Sequence, residues 1–224
     1  MESRVHHEVQ GSGPGVVLTH GFGDTSETWS EQLAALSKRY AVHCWDLLGH
    51  GRSEKPTDPA AYSRDGAVEE LGRIAALCEE PAVLVGHSLG GYLSQCLALR
   101  KPERVRGLVL INTGPGFRDP AGRERWNRGA HAALARFDVP PESVAMLEQH
   151  DSFVIDHLDE IRVPVLALAG GRDRVYHGAL SYYERRLPDV ETQIVPDSGH
   201  HVHRTHADAV NAALAAFLER CGRS

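Results

Sequence analysis

The sequence predicts an α/β protein in which helices cover both faces of a mainly parallel β-sheet, and three observations support this. Short apolar runs rich in β-branched residues alternate with helix-length amphipathic stretches, as in strands joined by crossover helices. Runs such as residues 82–85 are continuously apolar, which indicates strands buried on both faces. No linker or internal repeat interrupts the pattern, so we expect one domain spanning residues 1–224.

The individual elements follow from the same patterns. Strands are predicted where four to seven residues are apolar or β-branched and are bounded by turn residues. Helices are predicted where apolar residues recur every three or four positions. The predicted strands cover residues 16–19, 40–45, 82–85, 105–111, 163–168 and 191–195, and the predicted helices cover residues 29–36, 65–78, 89–100 and 207–220.

Residues 115–149 carry no strand signal and interrupt the alternation. Two helices are predicted there, over residues 122–137 and 142–149. One interpretation is a solvated pair of amphipathic helices. The other is a short helical lid over the carboxyl edge of the sheet, with Trp126, Phe137 and Arg123 as candidates for substrate contact. The segment also carries four further arginines, namely Arg118, Arg125, Arg128 and Arg136.

Composition limits the classes of partner. The formal net charge of −6 argues against binding to nucleic acid or to a membrane through a basic surface. No apolar run approaches the roughly 18 residues of a membrane-spanning helix. Residues 1–7 lack the hydrophobic stretch of a signal peptide. We therefore expect a cytoplasmic protein whose partner is a small-molecule substrate.

A G-x-S-x-G motif lies between the third predicted strand and the following helix. Gly86, His87, Ser88, Leu89 and Gly90 form it. The glycines allow the strand and the helix to approach each other, so that the turn presents the serine hydroxyl above the sheet edge. The helix N-terminus beside that hydroxyl favours negative charge. This context predicts that Ser88 is a nucleophile.

A serine nucleophile needs a base, and the base needs an orienting carboxylate. Asp173 follows the strand at 163–168, and His200 follows the strand at 191–195. Both therefore lie at carboxyl ends of strands, and the chain order is serine, aspartate, histidine. His201 remains the alternative base. The alternative acids are Asp151, Asp156 and Asp197.

These residues together resemble the α/β-hydrolase superfamily. The resemblance implies that Ser88 is the nucleophile, His200 the base and Asp173 the acid. It also implies an oxyanion hole made by the backbone amides of Phe22 and Leu89. Support for the oxyanion loop and the elbow would come from His20, Gly21, Gly86, His87 and Gly90. The matching segments are residues 20–23, Trp29, and residues 46–53, 86–91, 171–173 and 199–200.

The resemblance further implies an eight-stranded sheet and a serine hydrolase that forms an acyl-enzyme without cofactor or metal. We expect a carboxylic ester or lactone of small to medium size as substrate. Hydrolysis of a carbon–carbon or thioester bond remains an alternative. A non-catalytic ligand-binding protein of the same fold is another. The sequence does not indicate an oligomeric state.

Three features depart from the family pattern. Leu48 stands where the turn at residues 46–53 usually has proline, and Ala207 stands where a proline often follows the histidine. The third departure is the short lid, from which we expect an open pocket.

Four histidines lie close together near the C-terminal end of the sequence, namely His200, His201, His203 and His206. Only Asp197 and Asp208 add nearby carboxylates, so we expect no metal site.

Overall fold

The structure is a computed structural model that describes residues 4–222, and a seven-stranded sheet runs through it. Its strand order is β1-β3-β2-β4-β5-β6-β7. β1 is antiparallel to β3, and the other neighbouring strands are parallel. The strands are β1 His7–Gln10, β2 Gly15–Thr19, β3 Ala41–Trp45, β4 Ala82–His87, β5 Val105–Ile111, β6 Val165–Gly170 and β7 Val190–Val195.

Helices pack on both faces of the sheet, and each face has its own hydrophobic core. Leu84 of β4 packs into one core, whereas its neighbours Val83 and Val85 pack into the other. This explains why β4 is continuously apolar. The helices are α1 Ser30–Leu36, α2 Arg64–Ala75, α3 Leu89–Arg100, α4 Pro120–Ala133, α5 Phe153–His157, α6 His177–Arg186, α7 Val202–Thr205 and α8 Ala207–Cys221.

The α/β fold class is confirmed, but the expected number of eight strands is corrected to seven for residues 4–222. All six predicted strands are present, with ends within two residues of the prediction. β6 begins at Val165 and not at Val163, because Pro164 has no N–H to donate to the sheet. The prediction missed β1, which has only four residues and lies with exposed side chains at the sheet edge.

The helix predictions differ more from the structure. The helix at 89–100 is confirmed, and α8 extends one residue beyond its predicted end. The helix predicted at 142–149 is wrong, because Pro141–Met146 is a 3₁₀-helix whose short run is satisfied by i→i+3 bonds. The sequence analysis missed the three helices α5, α6 and α7.

The connection between β5 and β6 contains α4, α5 and three 3₁₀-helices. Asp119 caps α4 by accepting hydrogen bonds from the backbone N–H groups of Ala121 and Gly122. Pro120 stands at the first helical position, where no N–H is needed. Together these residues fix where α4 begins, next to the carboxyl edge of the sheet.

Within residues 4–222, none of the helices is both long enough and apolar enough to span a membrane. The expectation about a signal peptide rests partly on Met1, Glu2 and Ser3, which lie outside the described residues.

Candidate active site

Ser88 stands in the turn between β4 and α3 in a strained backbone conformation. Its φ and ψ are 50° and −114°, in a region that residues with a side chain rarely adopt. A Cβ atom added to Gly90 would lie 2.2 Å from the carbonyl oxygen of Thr19, and one added to Gly86 would lie 2.4 Å from the backbone of Gly90. Only glycine at both positions allows the turn that exposes Ser88.

Asp173 and His200 meet at the same edge of the sheet. The Nδ1–H of His200 donates a hydrogen bond of 2.6 Å to Oδ2 of Asp173. The Asp173 side chain is only 13% exposed, whereas that of His200 is 37% exposed. A buried carboxylate on Nδ1 fixes the imidazole tautomer, and the Nε2 atom is then available to accept a proton.

The alternative acids and the alternative base all have other partners. Asp151 pairs with Arg64, Asp156 pairs with Arg118, and Asp197 lies near Arg172. His201 donates to Asp24 at 3.2 Å. Among the four candidate acids, it is therefore Asp173 that the fold brings to a histidine at the sheet edge.

His20 is fully buried and holds the loop that follows β2. Its Nδ1–H donates to the carbonyl oxygen of Gly21 at 2.7 Å, and its Nε2 accepts from the N–H of Leu47 at 3.0 Å. Burial lowers the pKa of His20, which keeps the ring neutral in this arrangement. The two ring nitrogens of His20 therefore join the loop after β2 to the segment after β3, as expected for a residue that supports this loop.

Phe22 and Leu89 are the residues whose backbone amides the sequence predicts to form an oxyanion hole. Neither N–H donates a hydrogen bond to another group among the described residues 4–222. Leu89 is the first residue of α3, where the N–H has no intrahelical acceptor. Both residues line cavities that also contain Ser88. Two free amides beside the Ser88 hydroxyl suit the binding of an oxyanion.

His87 is buried beneath the site. Its Nε2–H donates to the carbonyl oxygen of His200 at 2.9 Å. Burial lowers the pKa of His87 to about 4, so the ring remains neutral near pH 7. It therefore supports the backbone of the histidine loop.

Each of the four closely spaced histidines has its own surroundings. His200 binds Asp173, and His201 binds Asp24. His203 is buried with its ring 4.4 Å from that of Trp29. His206 lies at the N-terminus of α8 beside Thr205.

Two cavities meet at Ser88. The first has a volume of about 310 Å³ and no charged side chain among the residues that line it. The second has a volume of about 420 Å³ and is lined by Asp24, Arg125, His200 and His201 among others. Ser88, Trp126, Leu147 and Tyr176 line both cavities.

The three candidates for substrate contact occupy different places. Trp126 borders both cavities, and its Nε1–H donates to the carbonyl oxygen of Leu147 at 3.0 Å. Phe137 lines the second cavity and packs edge-on against Phe22, with the ring centres 5.5 Å apart. Arg123 lines neither cavity. It donates to two carbonyl oxygens of the segment before α4, at Phe117 and Arg118.

The sequence analysis missed three residues at this site. Asp24 binds His201, and Asn112 donates to the carbonyl oxygen of His200. Tyr176 stacks on His200 with the ring centres 5.5 Å apart. Burial raises the pKa of Tyr176 to about 12. Asp24 stands one residue after the segment at 20–23, and Asn112 directly follows β5. Their positions shortly after strands were the one sequence signal that could have indicated Asp24 and Asn112.

Comparison with known proteins identifies the family of the chain. The profile of a family described as alpha/beta hydrolase fold matches residues 14–152, which include the loop after β2 and the turn at Ser88. The chain belongs to this family. The predicted superfamily is thus confirmed. As an α/β-hydrolase, it shares 30% identity over 245 residues with RutD of Caulobacter segnis, a proposed carbamate hydrolase, and the match covers 91% of each chain.

Two further proteins are similar to this α/β-hydrolase. It is 38% identical over 128 residues to the pimeloyl-[acyl-carrier protein] methyl ester esterase of Aeromonas hydrophila, covering 57% of this chain and 48% of the esterase. The enol-lactonase from Burkholderia xenovorans LB400 has the same fold, with a TM-score of 0.79, 24% identity and coverage of 96% of both chains. Both of these proteins are named after a hydrolytic activity.

The α/β-hydrolase spans less than half the length of several curated relatives that it matches. The match covers 48% of the Aeromonas esterase and 32% of an uncharacterised protein of Mycobacterium tuberculosis.

Proposed function

We propose that this α/β-hydrolase is a serine hydrolase that cleaves a carboxylic ester or lactone of small to medium size through an acyl-enzyme. One observation carries the proposal. Ser88 stands where the two cavities meet, and the second cavity also contains His200, whose Nδ1–H is bound to Asp173. The proposed nucleophile and base thus face a space large enough for a small molecule, and the orienting acid contacts the base from outside that space.

In the proposed mechanism, Nε2 of His200 takes the hydroxyl proton of Ser88 as the oxygen attacks the substrate carbonyl. Asp173 holds the imidazole tautomer and stabilises the imidazolium. The amides of Phe22 and Leu89 donate to the oxyanion. His200 then protonates the leaving alcohol, and a water activated by the same histidine hydrolyses the acyl-enzyme.

The two cavities support a division of the substrate. The first cavity is lined by aromatic, aliphatic and uncharged polar side chains, so it suits the acyl group. The second holds His200, which must protonate the leaving oxygen, together with Asp24 and Arg125. The alcohol part of the substrate therefore belongs in the second cavity, where polar groups would contact it.

We also propose that residues 115–149 act as a short lid within one domain spanning residues 1–224. Trp126 borders both cavities, and Phe137 covers Gly23 in the loop after β2. The arginine of α4 that lines a cavity is Arg125. We therefore assign substrate contact to Trp126, Phe137 and Arg125, in place of Arg123.

A carbamate is the second candidate substrate. It is favoured by the 30% identity with RutD over 91% of both chains. A carbamate carbonyl is open to the same attack by Ser88, and the same two amides would hold its oxyanion. The ester and carbamate candidates differ in the group that remains on the serine and in the product that is released.

The test is hydrolysis of p-nitrophenyl esters from acetyl to dodecanoyl, and of a p-nitrophenyl carbamate, by the wild type and by Ser88→Ala. Intact mass after treatment with a fluorophosphonate detects the nucleophile on the same samples. Ser94→Ala is the matched control, because Ser94 is a buried serine of α3 whose hydroxyl donates to the carbonyl oxygen of Gly90.

Ester turnover and a mass adduct that are both lost in Ser88→Ala and retained in Ser94→Ala would support the proposal. Turnover of the carbamate alone would favour the second candidate. An adduct without turnover of either would contradict the ester assignment and point to a thioester or carbon–carbon bond. Folded protein with neither adduct nor turnover would contradict the proposed function and favour a ligand-binding role.

A further inference from the structure

The carboxyl end of β5 contacts each of the three loops that carry Ser88, Asp173 and His200. The carbonyl oxygen of Ile111, the last residue of β5, accepts a hydrogen bond from the N–H of Ser88 at 2.9 Å. The next residue, Asn112, continues the sheet by donating its N–H to Leu168 of β6 at 2.8 Å.

The side chain of Asn112 joins the other two loops. Its Oδ1 accepts a hydrogen bond of 2.8 Å from the N–H of Gly170, at the start of the loop that carries Asp173. Its Nδ2 donates to the carbonyl oxygen of Gly199 at 3.1 Å and to that of His200 at 2.5 Å. One primary amide thus satisfies a donor on one loop and two acceptors on the other.

Two features indicate that this arrangement is specific. Asn112 is fully buried, so water does not replace lost hydrogen bonds easily. Its backbone has a φ of 45°, which is uncommon outside glycine and in which asparagine is enriched. That left-handed conformation turns the chain at the end of β5, where the side chain lies between the two loops.

We propose that Asn112 is a positioning residue that sets the distance between Asp173 and His200. The inference rests on the proposed function, because it assumes that these two residues act as acid and base. Asn112 touches neither the nucleophile nor the substrate cavities through its side chain. It acts on the reaction through the backbone of His200 and through Gly170, whose carbonyl oxygen in turn accepts from the N–H of Asp173 at 2.9 Å.

The chemistry of the amide explains why other side chains would serve poorly. Aspartate would keep the acceptor for Gly170 but would lose both donors and point a carboxylate at two carbonyl oxygens. Alanine would leave the N–H of Gly170 without its acceptor. It would also remove the donor that serves the carbonyl oxygens of Gly199 and His200. The carbonyl of His200 would keep only the hydrogen bond from His87. In either variant the imidazole of His200 would be held less firmly against Asp173.

The test compares wild type, Asn112→Asp and Asn112→Ala. Gln32→Ala is the matched control, because Gln32 is also a fully buried primary amide and donates to a carbonyl of the same histidine segment, that of His203, at 2.9 Å. For each protein we would measure the thermal midpoint, kcat and KM for the best ester, and the strongly deshielded Nδ1–H proton of His200 by NMR. Asp173→Asn provides the reference spectrum without that hydrogen bond.

We expect both Asn112 variants to lose about 10- to 100-fold in kcat with little change in KM, because a misplaced base slows chemistry more than binding. The His200 proton should shift or vanish in both. Gln32→Ala should lower the thermal midpoint but keep kcat and the proton signal. Asn112→Asp is nearly isosteric, and it decides the question if Asn112→Ala does not fold.

Folded Asn112 variants with kcat within twofold of wild type and an unchanged His200 proton would overturn the inference. So would a loss of kcat of the same size in Gln32→Ala, since that would reveal a general effect of stability. Failure of the proposed function has a separate sign, which is the absence of a fluorophosphonate adduct at Ser88 in the wild type.

Discussion

Oδ2 of Asp24 lies 3.2 Å from Nε2 of His201, and this contact joins the loop after β2 to the loop that carries His200. The same oxygen lies 3.5 Å from Nδ1 of the buried His87. Asp24 stands two residues after Phe22, and His201 directly follows His200. The ion pair therefore connects the proposed oxyanion loop with the proposed base.

Asp24→Asn should weaken this connection in a pH-dependent way. Burial opposes ionisation of Asp24, but the hydrogen bond from His201, together with the nearby ring of His87, holds the pKa of Asp24 well below the usual range. The hydrogen bond to Asp24 raises the pKa of His201. The stabilisation by Asp24 is present above about pH 4 and is lost as the pH falls. The stabilisation by protonated His201 is present below about pH 6.5 and is lost as the pH rises through the raised pKa of His201.

We expect Asp24→Asn to lower the free energy of unfolding by about 1 kcal/mol at pH 6, because His201 is half exposed and water screens the pair. At pH 9 the loss should be smaller. Urea unfolding at both pH values, with an NMR titration of His201, measures the effect. An unchanged pKa of His201 in Asp24→Asn would contradict the prediction.

Buried histidines should make the fold sensitive to acid. Burial lowers the pKa of His87 to about 4, of His50 to about 3 and of His203 to about 2. Between pH 6.5 and these values the unfolded chain binds more protons than the folded one, so stability falls as the pH falls. Each such histidine adds a slope of up to about 1.4 kcal/mol per pH unit. Urea midpoints from pH 7.5 to 5 check this.

His203 offers a variant for the same measurement. It packs against Trp29, and neither ring nitrogen has a hydrogen-bond partner among residues 4–222. His203→Phe should remove one titrating group and flatten the dependence of stability on pH. His150→Gln is the control, because that side chain is 63% exposed. Equal slopes for wild type and His203→Phe would count against the role of burial.

Asp173→Asn should reduce kcat by about 10⁴, because an amide in place of the carboxylate favours the wrong imidazole tautomer. KM should change little, since Asp173 lines neither cavity. Steady-state kinetics on the best ester provides the measurement. The control is Asp197→Asn, which changes an exposed carboxylate near Arg172. A similar loss in both variants would rule out a specific role for Asp173.

Arg125 should select substrates with an anionic leaving group. It lines the second cavity and lies 3.8 Å from Asp119, whereas Arg128 on the same helix lines neither cavity and pairs with Glu124 at 2.9 Å. Arg125→Gln should raise KM for 4-carboxyphenyl acetate about three- to fivefold and leave KM for phenyl acetate unchanged, as befits one exposed charge. Arg128→Gln is the matched control and should change neither value. Equal effects of Arg125→Gln on both esters would refute the assignment.

The sequence predicted those features that depend on local pattern. The apolar run before Ser88 and the glycines on either side of it specify a strand, a tight turn and a helix between residues 82 and 100. The structure has β4 and α3 at these positions. The same local logic placed Asp173 and His200 after strands, and parallel strands bring their carboxyl ends to one edge of a sheet. The residue types of a turn and the repeat of apolar residues along a strand or helix are properties of neighbouring residues. They can therefore be recognised without knowledge of the tertiary structure.

Contacts between distant loops could not be predicted in this way. Asn112 binds groups 58 and 88 residues further along the chain, and Asp24 binds His201 across 177 residues. The exchange of Arg123 for Arg125 depends on which face of α4 meets the cavity, and the four-residue β1 exists because β3 lies beside it. Sheet register and helix packing set these distances. The sequence by itself determined which residues we propose as catalytic, because their chemistry and their positions after strands are local properties. The tertiary structure alone decided which groups hold them in place, because those contacts join distant parts of the chain.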